Sequence, residues 1–268
     1  MAAAGIALRF ENVVKDYPRG WFGRRSLRAL DQISMEVASG QIVGLLGPNR
    51  AGKTTLIKSL LSLCRVTSGR IERLGASSSD RRTLARIGYV HENHAFPRYL
   101  TAKALLEYYG AMTLLSAADL ARRVPQLLDR VGLTEFAKDP IARFSKGMNQ
   151  RLAIAQAMLQ EPELLVLDEP TEGLDLEGRQ MLRSVVAEQK AAGRTVLYVS
   201  HVLSELEPLC DQAAVLVAGR LAFFGTLPEL MKRESAPSLD AAVAHILGNP
   251  HLPGVPAPHR SLVAGVSR

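Results

Sequence analysis

The sequence predicts an α/β protein built on a parallel sheet, and three observations carry that prediction. An apolar run at residues 42–46 meets the glycine-rich stretch Gly47-Pro48-Asn49-Arg50-Ala51-Gly52-Lys53-Thr54-Thr55, and Leu56-Ile57-Lys58-Ser59-Leu60-Leu61 then reads as a helix. Two further short apolar runs, residues 164–167 and 195–199, flank a helical stretch at 178–190. That alternation lays parallel strands side by side. Between these halves, residues 101–160 change to apolar residues at three- and four-residue spacing, the mark of amphipathic helices.

Each element follows in order. Residues 8–43 contain short alternations (Leu8-Arg9-Phe10, Ile33-Ser34-Met35-Glu36-Val37), broken at Pro18-Arg19-Gly20 and Ser39-Gly40. They predict antiparallel strands ahead of the central sheet. The continuous run at 42–46 predicts a strand buried on both faces. Helices are expected over 103–112, 117–131 and 149–159, with Ser145 as an N-cap before the last. Gly193 ends the helix after 178–190, and residues 213–224 form a hairpin turning at Gly219. From Ser235 the chain is rich in Pro, Ala and Ser. Residues 249–268 hold four prolines without periodicity and are expected to be poorly ordered.

With 268 residues and 47% hydrophobic content, the chain can bury a sizeable core. Apolar runs such as 164–167 are too short to span a bilayer. The first ten residues lack the basic and apolar regions of a secretory signal. Cys64 and Cys210 have no metal-ligand spacing and read as reduced thiols of a cytosolic protein. The net charge of +7 allows an anionic partner, but the densest basic cluster, residues 19–28, is too short to argue nucleic-acid binding.

The glycine-rich stretch fits G-x-x-x-x-G-K-[ST] in its required strand–loop–helix setting. Its glycines let backbone N–H groups turn toward a polyphosphate, and the helix N-terminus adds a favourable dipole. Lys53 can reach the β/γ-phosphates and the Thr54 hydroxyl can ligate Mg²⁺. The 164–167 strand ends in Asp168 and Glu169. One carboxylate there can hold Mg²⁺ and its neighbour can act on a water. His201, in Val199-Ser200-His201 after the next strand, is placed to bond a γ-phosphate oxygen. Taken alone it is an ordinary histidine, as Asp168-Glu169 alone is an acidic pair opening a turn. Phe144-Ser145-Lys146-Gly147-Met148-Asn149-Gln150-Arg151 offers a hydroxyl, a glycine N–H and a helix dipole, a second phosphate grip or simply an N-cap.

In this order and spacing, together with Gly173-Leu174-Asp175, the motifs resemble the ATP-binding domains of ATP-binding-cassette (ABC) proteins over residues 8–230. The resemblance implies the P-loop NTPase fold of ABC ATPases. This is a RecA-like parallel-sheet core with an N-terminal antiparallel β subdomain and an α-helical insertion at about 93–160, followed by a C-terminal extension at 231–268. It implies ATP and Mg²⁺ as cofactors. Tyr17 would stack on adenine, with Trp21 as a rival, and Gly47 to Thr55 would wrap the phosphates. Thr54, Asp168 and Glu92 would hold Mg²⁺. Lys53, Glu169 and His201 would carry the catalysis. Ser145 and Gly147 would contact ATP held by an opposite subunit, and Asp175 would link the two sites of a dimer. The implied partners are a second ATP-binding subunit and a separate transmembrane permease docked on residues 103–130. The implied location is peripheral, on the cytoplasmic face of the cell membrane. No specific nucleic acid is expected.

Three features depart from the commoner family pattern. Arg50 stands where glycine is usual, so a φ above zero there would strain the backbone; nucleotide binding is expected to survive, and slowed hydrolysis is the alternative. Glu92 replaces a glutamine, and Ser145-Lys146-Gly147-Met148 replaces Ser-Gly-Gly-Gln. Both replacements resemble exporter-type members, which fits an ATPase subunit of an exporter. Two alternatives stay open, a non-transport ABC ATPase acting on nucleic acid or ribosomes, and a nucleotide-binding regulator with little turnover. A single phosphate loop and a short insertion before Ser145 disfavour the first, and intact Asp168, Glu169 and His201 disfavour the second.

Overall fold

A computed structural model describes residues 5–19 and 25–248. Strands β1 (Ile6–Arg19) and β2 (Arg25–Ala38) pair antiparallel. Strand β3 (Ile42–Leu46) and helix α1 (Lys53–Leu60) bracket the glycine-rich loop. Strands β4 (Ser68–Arg73) and β5 (Ala76–Ser77) complete an antiparallel sheet of order β2-β1-β4-β5. After β6 (Ile87–Val90) come the inserted helices α2 (Ala102–Met112), α3 (Ala117–Arg130) and α4 (Lys146–Met158). The chain returns through β7 (Leu164–Asp168), α5 (Leu176–Ala191), β8 (Thr195–Val199) and the one-turn helix α6 (Leu203–Leu206). It closes with β9 (Gln212–Val217), β10 (Arg220–Thr226), α7 (Leu227–Arg233) and α8 (Leu239–Gly248).

The second sheet has the order β10-β9-β3-β8-β7-β6, parallel throughout except for the β9–β10 hairpin. Its inner strands β3, β7 and β8 read as apolar runs because both their faces are covered. Leu165, Leu167, Val196 and Tyr198 face a core shared with the inserted helices and α5. Leu164, Val166, Leu197 and Val199 face a second core, shared with α1 and the antiparallel sheet.

Several expectations shift in detail. Pro18 and Arg19 belong to β1 rather than to a turn. The β1–β2 pairing slips between Phe10 and Val13, where Asn12 adopts φ 47°. That bulge lets Leu8, Phe10 and Val13 all reach the core despite broken alternation. Helix α1 begins at Lys53, three residues before its apolar stretch, and α4 begins at Lys146. The tract from Ser235 is not featureless: α8 buries Leu239, Ala242, Val243 and Ile246 in the main core. The boundary expected at 230 falls inside α7. Trp21 and residues 249–268 lie outside the described residues. Among those described, no helix is long and apolar enough to cross a membrane.

Candidate functional site

The site forms at the carboxyl ends of β3, β7 and β8. After β3 the chain enters α1 on the face of the antiparallel sheet. After β7 it enters α5 on the opposite face. Connections that leave on opposite faces open a crevice at the strand ends, where α/β sheets bind ligands. Here it is a cleft of about 1150 Å³ lined by Pro48 to Thr55, Tyr17, Glu92, Asp168, Glu169 and His201.

Two glycines shape the loop. A Cβ on Gly47 (φ 145°) would lie 2.2 Å from the Leu216 carbonyl oxygen, and one on Gly52 (φ 106°) 2.6 Å from that of Ala29. Gly47 is therefore buttressed by β9 beneath the cleft, and Gly52 passes tightly against β2. Arg50, exposed at the loop tip, does adopt the left-handed conformation with φ 68°. That conformation costs an L-residue about 1–2 kcal/mol. The Lys53 ammonium donates to the carbonyls of Gly47 (2.6 Å) and Pro48 (3.3 Å). Burial lowers its pKa, against the pull of Glu169, Asp168 and Glu92.

Asp168 is buried at the end of β7, and burial pushes its carboxyl pKa up to about 6. Glu92 and Glu169 push the same way, while His91 and Lys53 oppose them. Glu169 takes φ 49°, and its backbone N–H donates to Val199 at 3.0 Å, tying it to the end of β8. Its Oε2 accepts from His201 Nδ1 at 2.9 Å. Tyr17 carries the Lys15 ammonium 4.7 Å from its ring centroid. Its pKa is raised by burial, beside Cys64 and Thr55.

The donor set fits a cation. Three carboxylates crowd round a single buried lysine. Among the described residues, the buried Tyr89 hydroxyl, which feels the Asp168 charge, has no hydrogen-bond partner. No cluster of three metal-ligating side chains forms a cage among the described residues. Mg²⁺ does not need one, because it keeps waters and shares its shell with phosphate.

Ser145, Gly147 and Asp175 are not in this cleft. They line a second one of about 530 Å³, with Gly132, Phe136, Lys146 and Arg151. Ser145 caps α4 by accepting from the Met148 N–H (3.2 Å), as its sequence position predicts. Asp175 caps α5 through the Gly178 N–H (2.8 Å) and pairs with Arg151 (2.8 Å). Those two bonds hold its pKa below the usual carboxylate range, the Gly178 N–H foremost. Gly173 lines both clefts.

Sequence reasoning gave no role to the residues that tie the clefts together. Buried Gln150 donates Nε2 to the Pro170 carbonyl at 2.9 Å, and Lys146 pairs with Glu172. Thr171, Arg179 and Glu205 line the first cleft beyond Glu169. No spacing rule marks them, since each acquires its setting from a segment distant in sequence.

The family described as "ABC transporter" matches residues 30–172. An uncharacterised ABC transporter ATP-binding protein of Nostoc sp. (strain PCC 7120) is 42% identical over 81% of this chain. The chain spans 65% of that relative's length. The Nod factor export ATP-binding protein I of Sinorhizobium fredii is 37% identical over 80% of this chain and 61% of its own. The lantibiotic transport ATP-binding protein SrtF of Streptococcus pyogenes is 37% identical over 80% and 88%. A solved structure of an ATP-binding subunit of an ABC transporter superposes with a TM-score of 0.82. It is 30% identical and covers 90% of this chain and 99% of its own.

Proposed function

The chain belongs to the ABC transporter family, and on that premise we propose that it is the ATP-hydrolysing subunit of an exporter. One observation carries the reading: Lys53, Asp168, Glu169 and His201 converge on one cleft, while Ser145 and Gly147 face another. A single chain thus presents a complete phosphate-handling half and a separate recognition half. Two copies set head to tail would join unlike halves, enclosing one ATP at each junction.

Loop N–H groups and Lys53 hold the phosphates. Thr54, Asp168 and Glu92 would hold Mg²⁺, which when bound neutralises charge on the β- and γ-oxygens. Glu169 accepts a proton as water attacks the γ-phosphorus and ADP departs with the bridging oxygen's electrons. His201, its Nδ1 proton directed at Glu169, steadies that carboxylate at the edge of the cleft. Tyr17 offers its ring to the base.

The partner for transport is a separate membrane protein, with this chain peripheral on the cytoplasmic face. Tyr99, Tyr108, Met112 and Leu114 are exposed on and around α2, an apolar surface suited to docking. Phe96 meets Tyr109 at 6.4 Å between ring centroids, so the loop carrying Glu92 packs on that helix. The name of the Sinorhizobium relative supports export as the direction. Phosphate release from Mg²⁺–ATP by the purified protein tests the reading, with Glu169→Gln as control. Steady release lost in that variant is expected. Equal release by both would remove Glu169 from the mechanism.

A further inference from the structure

Glu205 is a buried carboxylate to which the hydrolysis reading gives no task. It sits on α6 and is 6% exposed. Its Oε2 accepts from Thr171 Oγ1 at 2.9 Å and from Ser200 Oγ at 3.2 Å. Its Oε1 stands 3.7 Å from the Arg179 guanidinium on α5. Thr171 follows Glu169 by two residues, and Ser200 immediately precedes His201. The contact between Glu169 and His201 is therefore bracketed by two hydroxyls that end on one carboxylate oxygen. Ser200 Oγ also accepts from the Val202 N–H at 3.0 Å, closing the turn that carries His201.

That contact needs holding from outside. The His201 side chain is 72% exposed, and among the described residues its only hydrogen bond is to Glu169. Glu169 itself takes a left-handed backbone conformation, which persists only where the surroundings enforce it. A buried carboxylate is costly unless its oxygens are paired, and here two hydroxyls and a guanidinium pair it. Being acceptor-only, it fixes the rotor of each hydroxyl in turn.

We propose that Glu205 is a positioning residue: it clamps Thr171 and Ser200 to a single carboxylate and so sets the geometry between Glu169 and His201. The proposal rests on the reading that these two residues act in ATP hydrolysis. Steady-state kinetics, equilibrium ATP binding and the His201 ring cross-peak in ¹H–¹³C NMR, all on the full chain, test it. Glu205→Ala is expected to lower kcat about 10- to 100-fold, the scale of a small misplacement of reacting groups. KM and ATP affinity should hold, and the His201 cross-peak should move. Glu205→Gln, whose amide oxygen can still accept both hydroxyls, should recover most of the rate and the wild-type cross-peak. In a His201→Ala background, Glu205→Ala should cost no further rate, because residues acting through one another are not additive. Multiplying losses, an unmoved cross-peak, or parallel loss of affinity and rate would overturn the proposal. The Glu169→Gln control separates the two claims. Turnover lost in that variant but kept in Glu205→Ala sinks the Glu205 role alone. A wild type that releases no phosphate sinks both.

Discussion

The cleft beside the glycine-rich loop and the cleft beside Ser145 share a plan, a glycine-bearing turn that enters a helix. They differ in how their charges are satisfied. In the second, Lys146 is paired with Glu172 and Arg151 with Asp175. In the first, the Lys53 ammonium rests on two carbonyls, and Asp168 is buried with its pKa pushed up to about 6. Local satisfaction leaves the second stable with nothing bound, as the proposed recognition half requires. Unbalanced charge makes the first a site that gains when a charged ligand arrives.

The sharpest way to break this contrast is to remove chemistry from one side only. Glu169→Gln should lower phosphate release by about 10²–10⁴-fold, the usual weight of a general base, with ATP binding retained. Gly147→Val acts on the other side. A Cβ there would meet the Gly173 carbonyl oxygen at 2.7 Å, so the turn must shift. Turnover should fall about 10- to 100-fold through misplaced recognition groups. ATP affinity of the single chain, read by equilibrium binding, should not change. Affinity loss there would mean that the clefts are not separable.

Two aspartates test the electrostatic half of the contrast with opposite signs. Folding raises the Asp168 pKa to about 6 from 3.8, so protonation favours the folded state. Its favourable contribution is complete below the unfolded pKa and is lost as pH rises through about 6. At pH 7.5 without Mg²⁺, Asp168→Asn should therefore stabilise the protein by about 3 kcal/mol, the gain vanishing in acid. The pKa of Asp175 is lowered instead, first by the Gly178 N–H and then by Arg151. Asp175→Asn should destabilise at neutral pH, an effect lost as pH falls through its folded pKa. Urea titrations across pH read both, and equal signs would refute the contrast.

The smallest expected effect is at Arg50. Relief of its left-handed strain by Arg50→Gly, offset by the entropy of a freer unfolded chain, should leave a gain below about 1 kcal/mol. ATP affinity should be unchanged, and equal hydrolysis rates for both proteins would dismiss the idea that Arg50 slows turnover.

Legibility in the sequence follows how local the cause is. The loop from Gly47 to Thr55, the Ser145 cap and the strands at 164–167 and 195–199 were readable, because each depends on neighbours within a few residues. Strands β4 and β6 were not. Ser68–Arg73 alternates weakly, and Ile87–Val90 is shorter than any periodicity test resolves. Helix α7 did carry a local signal, the capping box from Thr226 to Glu229 with a proline in its first turn. Helix α8 is apolar nearly all round, so spacing could not show which face it buries. Glu205 was invisible for another reason: its partner Thr171 is 34 residues away.

The central claim is that one chain carries two unlike halves of a composite ATP site. Sedimentation of Glu169→Gln with and without Mg²⁺–ATP tests it most directly, since the proposed role of Glu169 leaves binding intact while turnover stops. The account predicts a monomer that becomes a dimer holding one ATP per chain, and that fails to dimerise when Gly147→Val is added. A protein that binds ATP at full occupancy and stays monomeric would contradict it.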